Sequence, residues 1–563
     1  MKIWKRLAIG GLSVMMTLSS VACVNTPTTD NGEHQHKAVR RAGVTPTCQK
    51  TGKLEHWECI IDGCGKLFAD SACSQEISKT DTALPKAAHG LTNHAKVEAT
   101  ETEHGNIEYW TCGACGKYFS DALAKNEITQ ADTVDPSLIS LVDFHITIPD
   151  DRDPVILQLG DPQIIDSDQT TGTLNDKTKE MWKWGKDVLE EHCYKYIRET
   201  VEATNPDLIL VTGDIIYGSY DINGRVLEDF VAFMETLDVK WAPIMGNHDV
   251  ESAKGADWQC QQYENAPNCL FKQGDIMGNG NYTIGIMQGG ELRRVIVNMD
   301  TNGCTGASQA SKNNGQTVHH GNNSYGKPFG TYGLQKDQVK WFNDTVKGIQ
   351  KFAPDVKVSF HLHIPMNAAA ESFNNAYKDL TGNNPVASVN AAGKFGNTAI
   401  TRVLYPERIA GHVDGDIGTL YWLWQGDPVP DFWDTAGVHG TVDNTIFNQM
   451  KALGTDSFFF GHMHSNSASI VYDGIRFQYG QKCSTYDTTQ FIKDDGSISY
   501  GNIYYDAEGR ATNYDGTEFF TPLVGGTVNP MDKDTGELKN PYIYYCTGAG
   551  KEVDWAQYKK ASA

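Results

Sequence analysis

Three shortages narrow the field before any motif is read. Basic residues are few: 48 Lys and Arg stand against 70 Asp and Glu in 563 residues, a formal net charge of -22, with no basic stripe. Such a chain is repelled by phosphate backbones and anionic membranes, so no nucleic-acid binding is expected. Long apolar runs are missing after the first two dozen residues, which leaves no candidate membrane span. No Ser or Cys motif of the protein-nucleophile type is evident, so any hydrolytic chemistry has to find its nucleophile elsewhere. What the chain does have is 40% hydrophobic residues, enough for a large core, and a length that points to two or three domains.

The N-terminus reads as an address. Lys2, Lys5 and Arg6 precede an apolar stretch from Leu7 to Ala22, the layout of an export signal over residues 1–22. The SSVAC ending and the polar TPTTDNGEHQH after it resemble a bacterial lipoprotein signal, which implies a lipid anchor at Cys23. Plain secretion after cleavage near Ala22 is the alternative. Either way the expected location is extracellular, at the cell surface or free, with residues 23–43 as a linker. Disulfides are compatible with that compartment. Cys260 and Cys269 are the best-spaced pair, and Cys483 with Cys546 is another candidate.

Residues 44–136 contain a duplication. VTPTCQKTGKLEHWEC from Val44 aligns without gaps with VEATETEHGNIEYWTC from Val97, followed by CGKLFAD from Cys64 and CGKYFSD from Cys115, then EISKTDT from Glu76 and EITQADT from Glu127. These are two copies of one small unit. Each carries a cysteine pair near a tryptophan: Cys59 and Cys64 beside Trp57, Cys112 and Cys115 beside Trp110. Such a pair is half of a structural zinc site, with His89, His94 or Cys48 as candidates for the remainder, or else a local disulfide or a reduced structural pair. The copies resemble short tandem repeats of bacterial surface proteins, which implies a spacer or a contact with the cell envelope.

From about residue 150 to 563 the pattern changes to apolar strands alternating with amphipathic helices, an α/β domain. VILQL, LILV, VKWAPIM, RVIVNM, VKVSF and SFFF read as strands, and five of the six run straight into metal-binding residue types. These are GDPQ (Asp161, Gln163), TGD (Asp214), GNHD (Asn247, His248, Asp249), HLHIP (His361, His363) and GHMH (His462, His464). Ligands gather at the carboxyl ends of strands in such sheets, so these groups are expected on one face. Oxygen donors mixed with imidazoles suit zinc, manganese or iron, and there are too many for one tetrahedral ion. A centre of two metal ions is expected, holding a hydroxide as nucleophile.

GDPQ, GD, GNHD, HIP and GHMH in that order resemble the calcineurin-like metallophosphoesterase superfamily over roughly Val155 to Tyr486. GNHDVES, GNGNYTIGI, YGLQKDQVKWF and GHMHSNSASIVYDGI resemble its branch related to purple acid phosphatases. The resemblance implies a four-layer α/β/β/α sandwich with Asp161 and His464 on a first metal, Asn247, His363 and His462 on a second, and Asp214 bridging both. It also implies that His248 lies beside the phosphoryl group as a charge stabiliser or proton donor, with Asp249 holding its orientation. Gln163 stands where most members have His, and it either ligates the first metal or leaves that place to Tyr217, which is read first as packing. His361 is read as a buried strand histidine.

The expected function is a secreted or surface-anchored phosphoesterase with two metal ions (Fe, Zn or Mn), acting on phosphate monoesters. A phosphodiesterase on nucleotide, lipid or cell-wall diesters is the first alternative. A surface binding protein with a vestigial esterase domain is the second. The insert between Cys304 and Tyr332, with His319 and His320, is either a substrate-pocket wall or a solvated loop.

Overall fold

The computed structural model describes residues 34–168, 175–221, 223–301, 310–313, 316–319, 334, 336–366, 368–369, 372, 403–404, 419–420, 445–462, 464, 469–495 and 498–546. The export signal, Cys23 and most of the 304–332 insert lie outside them. The chain divides into two compact units, Met1–Pro136 and Ser137–Ala563.

In the first unit the duplication is visible as two antiparallel sheets of the same order. One runs Ala38–Arg41, His56–Cys59, Leu67–Phe68, Glu76–Ile77, and the other Leu91–His94, Tyr109–Cys112, Tyr118–Phe119, Glu127–Ile128. Their registers match, with Ala38 opposite Cys59 and Leu91 opposite Cys112. The first copy therefore begins before Val44, and part of the expected 23–43 linker is a strand. AVRR and LTNH share no residue type, since an edge strand is held by its backbone, so sequence alignment could not pair them.

The second unit also starts earlier than residue 150. Its first strand, β1 (Phe144–Thr147), pairs parallel with β5 (Tyr282–Gln288) at the edge of a seven-stranded sheet. The other members are β6 (Glu291–Met299), β7 (Lys357–Leu362), β8 (Thr455–Phe460), β9 (Ser469–Tyr472) and β10 (Ile475–Tyr479), in the order β1-β5-β6-β7-β8-β10-β9. A five-stranded sheet holds β2 (Val155–Leu159), β3 (Leu208–Val211), β4 (Lys240–Pro243), β11 (Gly525–Pro530) and β12 (Tyr542–Tyr545), in the order β4-β3-β2-β11-β12. The last two strands come from the C-terminal tail and complete this sheet.

Burial explains the layering. Strands covered on both faces have to be apolar throughout, and Leu208, Ile209, Leu210 and Val211 of β3 are all fully buried. Helices α1 (Lys186–Thr204) and α2 (Arg225–Glu235) cover the five-stranded sheet with Leu189, Ile197, Leu227 and Phe230 in one core. Helices α3 (Lys336–Phe352) and α4 (Thr445–Ala452) cover the seven-stranded sheet through Phe342, Val346, Ile349, Ile446 and Met450 in a second. Between the sheets, Gln478 donates to Gln158 Oε1 at 2.8 Å and to Asn529 Oδ1 at 2.6 Å, and Gln158 donates to the Phe460 carbonyl at 3.0 Å. The result is the four-layer α/β/β/α sandwich.

Strand β7 shows how the sequence positions a functional residue. Successive side chains alternate between faces. Val358, Phe360 and Leu362 join the core under α3 and α4, so Ser359, His361 and, just past the strand, His363 turn to the inner face.

Candidate metal centre

The parallel strands of both sheets end at the same place. Past β2 come Gly160 and Asp161, past β3 Gly213 and Asp214, past β4 Gly246 and Asn247, past β7 His363, and past β8 Gly461 and His462. The backbone is unusual there: Asp161, Gln163, Asp214 and His462 all have positive φ, at 40°, 44°, 46° and 70°. Non-glycine residues in this region are held against a local cost, and such strain clusters at functional sites. The glycine of the GNHD segment has a steric reason, because a Cβ on Gly246 would collide with the Asp214 backbone nitrogen and Oδ1. Gly213, at φ +83°, has its Cα against the His363 ring, where an added Cβ would lie 2.6 Å from Nδ1.

Two donor clusters result. Asp161, Asp214 and His464 each bring a ligand atom within 4.8 Å of the others, and so do Asp214, His363 and His462. Asp214 is common to both. Its Oδ2 lies 3.3 Å from His363 Nε2, while its Oδ1 accepts from the His248 backbone N–H at 2.7 Å. Asn247 Oδ1 joins the second cluster, 3.0 Å from His363 Nε2 and 2.7 Å from His462 Nδ1. Asp161 is steered by the His462 backbone N–H, 2.8 Å from its Oδ1.

Gln163 is fully buried beside the shared carboxylate. Its Nε2 is 3.4 Å from Asp214 Oδ2, and its Oε1 has no hydrogen-bond partner. Exchanging the two ends of the amide, which are assigned from such contacts and not seen directly, turns an oxygen donor toward the cluster. An orphaned amide oxygen, two carboxylates, a carboxamide and three imidazoles are a donor set that fits two transition-metal ions. Electrostatics agree. Burial alone would raise the Asp214 carboxyl, but the facing charges of His363 and His248 and the His363 hydrogen bond hold it well below the usual carboxylate range. Burial likewise works against a charged His363, yet Asp214 and Asp161 push it up to about 9. The site calls for positive charge.

The imidazoles are fixed from behind, as metal-binding histidines generally are. His363 Nδ1 lies 2.6 Å from the Thr212 carbonyl, and His464 Nδ1 lies 3.3 Å from Asp487 Oδ2. Lys482, fully buried, donates to the Asp161 carbonyl at 2.8 Å. His361 stays in the inter-sheet layer with Nδ1 on Asn298 Oδ1 at 2.8 Å, kept neutral by burial.

His248 stands at the rim of the cluster, and here one expectation is corrected. Asp249 does not touch its ring. The Asp249 carboxylate is wholly buried and accepts from the backbone N–H groups of Gly246, Ile215 and Ile216 at 2.7, 2.9 and 3.1 Å, clamping these turns of chain together. It is Glu251 that holds the imidazole, with Oε2 3.0 Å from Nδ1. A residue one position from His248 points elsewhere, whereas the 3₁₀ turn Asp249–Glu251 brings the third residue back beneath the ring. Tyr217 packs its ring on His248 at a centroid distance of 4.1 Å and on Tyr220 at 5.1 Å, the packing position expected of it.

Cysteine chemistry is absent from the centre. Cys260, Cys269, Cys483 and Cys546 are buried free thiols, so neither candidate pair forms a disulfide. Sequence alone does not single out Glu251, Asp487 or Lys482, although DVES carries the spacing that places Glu251.

A family model described as calcineurin-like phosphoesterase matches residues 154–394. That span includes Asp161, Gln163, Asp214, Asn247, His248 and His363 and stops before His462 and His464, which the fold returns to the same place. Two Arabidopsis thaliana proteins are similar over short stretches. One is a probable inactive purple acid phosphatase 14, 28% identical over 100 residues, 16% of this chain and 25% of the relative. The other is a probable inactive purple acid phosphatase 28, 38% identical over 77 residues, 12% and 19%. The chain thus spans a quarter or less of the curated relatives it matches. Among solved structures, a dimetal phosphatase from Danio rerio aligns at 11% identity and a TM-score of 0.32, over 68% of this chain and 96% of that one. A purple acid phosphatase from yellow lupin seeds aligns at 8% and 0.27, over 94% and 78%.

Proposed function

We propose that this chain, whose residues 154–394 match the calcineurin-like phosphoesterase model, is an exported phosphomonoesterase working with two metal ions. The observation that carries this reading is the pair of largely buried donor clusters that share Asp214, with the half-buried His248 at their rim. Asp161, Gln163, Asp214 and His464 would hold the first ion, and Asp214, Asn247, His363 and His462 the second, with Fe, Zn or Mn fitting the donors. Bound there, the ions would supply Lewis acidity toward the phosphoryl oxygens and a water acidic enough to attack phosphorus near neutral pH.

The chain's own residues account for the remaining work. Thr212 and Asp487 fix the rotation of His363 and His464, so the donors need no rearrangement when substrate arrives. With Nδ1 of His248 occupied by Glu251, Nε2 is the nitrogen left to meet the leaving-group oxygen and give it a proton. Tyr217 walls one face of that imidazole and restricts its swing. Asp249 keeps the segments bearing Asp214 and Asn247 in register through the backbone.

Both Arabidopsis relatives carry the word inactive in their names, which concerns those proteins. For this chain the donors converge in full, and so many polar groups facing one another in a buried site would be costly without a charge to bind. Asp214→Asn decides the matter: it should lose the bound ions and nearly all turnover of p-nitrophenyl phosphate, and retention of both would refute the assignment. Preference for bis-p-nitrophenyl phosphate over the monoester would move the reading to a phosphodiesterase. Export, with a lipid anchor at Cys23 or free release, rests on the N-terminal residues, and labelling of Cys23 by radioactive fatty acid in the producing cell tests the anchor.

A further inference from the structure

The two N-terminal copies have almost no core. Among the described residues up to Pro136, the buried apolar side chains are Cys59, Phe68, Cys112 and Phe119, two in each copy. Units this small and this poorly filled need a disulfide or a metal to stay folded. Cys48, Cys59, Cys64, Cys112 and Cys115 form no disulfide, and the sulfurs of Cys48 and Cys112 stand 3.9 Å apart, far from the roughly 2.0 Å of a disulfide.

The sulfurs do have company. His34, His36, Cys59 and Cys64 converge within 4.8 Å in the first copy, and Cys48, His89, Cys112 and Cys115 do so in the second. The spacings have a recognisable scale. A tetrahedron with Zn–S near 2.3 Å and Zn–N near 2.05 Å has edges of roughly 3.8 Å between sulfurs and roughly 3.6 Å between sulfur and nitrogen. Cys48 and Cys112 are 3.9 Å apart, Cys59 and His34 3.8 Å, Cys64 and His36 3.5 Å, and Cys115 and His89 3.5 Å. The equivalent histidines are held alike, His36 against Phe68 at 4.7 Å and His89 against Phe119 at 4.8 Å. His94 is not part of either group, since it stacks on Tyr109 and contacts Thr111 Oγ1.

We propose that each copy holds one structural zinc ion and that the second ion, by taking Cys48 from the first copy, staples the two copies together. Three ligands repeat between the copies: His36 with His89, Cys59 with Cys112, Cys64 with Cys115. The fourth does not. Position 34 corresponds to Ala87, and Cys48 corresponds to Glu101. The exception follows from the staple. A copy needs a cysteine at this place only if another copy comes after it, and the second copy is followed directly by the α/β unit. In the first copy His34 takes the fourth place, beside His36, Cys59 and Cys64. The backbone contact that seats Cys48 beside the next copy is present, Ala87 N–H donating to the Thr47 carbonyl at 3.1 Å.

The test uses the full chain exchanged with cobalt(II), followed by optical spectroscopy and metal counting by native mass spectrometry. Thiolate-to-cobalt charge transfer reports only the repeats, because the hydrolase donors are all nitrogen and oxygen. Wild type should show these bands and two thiolate-bound ions. Cys48→Ala should lose one ion and, with three of the five thiolates in that group, about three-fifths of the thiolate intensity, and trypsin should then cut faster at Lys86 between the copies. Cys48→His should restore the ion with one thiolate fewer, which separates ligation from general misfolding, and Glu101→Ala should change nothing. No thiolate bands in wild type, full retention of both ions in Cys48→Ala, or a Cys48–Cys112 disulfide in non-reducing peptide maps would each overturn the proposal.

Discussion

Replacing Glu251 by Gln tests the arrangement around His248 without touching any proposed ligand. His248 is pushed up to about 8 from an ordinary 6.5: burial works against the charged ring, but the Asp214 charge and the hydrogen bond and charge of Glu251 prevail. If His248 gives a proton to the leaving group, the working form is the protonated one, present below its pKa and lost as pH rises through it. The Glu251→Gln variant would keep the shape and remove the charge, so the pKa falls and the alkaline limb of kcat moves to lower pH. For scale, a fall to the ordinary 6.5 would drop protonation at pH 8 from roughly one half to roughly 3%, a ~16-fold loss in kcat, while at pH 5.5 the loss stays near 10%. Asp249→Asn is the contrasting variant, since that carboxylate holds only backbone: it should lower Tm and leave the limb in place. The assay is kcat against pH on p-nitrophenyl phosphate, with metal content checked for each variant. An unmoved alkaline limb in Glu251→Gln, or a moved one in Asp249→Asn with Tm intact, would refute the reasoning.

Other parts of the structure give further expectations. His248→Ala should keep its metal content and lose ~10²- to 10⁴-fold in kcat, the usual worth of a positioned acid. Asp487→Asn, which removes the carboxylate behind His464, should weaken first-site metal affinity by roughly 10- to 100-fold, read by titration of the metal-stripped chain. Gly246→Ala should abolish metal binding, because its new methyl group would occupy the space of the Asp214 carboxylate; a fully loaded, active variant would mean the close approach is not real. Phe342→Ala, fully buried between α3 and the seven-stranded sheet, should cost about 3–5 kcal/mol of stability in denaturant unfolding of the α/β unit.

Much of this is readable from sequence because the centre is built at strand ends. An apolar run that stops abruptly at Asp, Asn or His announces both the strand and a candidate donor, and the resemblance to the calcineurin-like superfamily is what implies Asp161, Asp214, Asn247, His363, His462 and His464 among those candidates. The alternation in VKVSFHLHIP puts His361 and His363 on one face and leaves their different surroundings undecided. What sequence does not supply is the support behind the donors. Asp487 reaches His464 from 23 positions further along the chain, and Lys482 meets the Asp161 carbonyl from across the sheets; neither leaves a local trace. Adjacency in sequence suggests Asp249 for the role that Glu251 fills, and a 3₁₀ turn reverses that order in space. The edge strands Phe144–Thr147 and Ala38–Arg41 escape notice because an edge strand asks little of its side chains. In the repeats Cys48 looks unmatched, since its partners lie in the other copy.

Anomalous diffraction from crystals of the metal-loaded chain bears on the central claim most directly. The structure calls for two peaks, one among Asp161, Asp214 and His464 and the other among Asp214, Asn247, His363 and His462, with the Asp214 carboxylate between them. A single peak, or peaks that leave Asp214 uncoordinated, would contradict it.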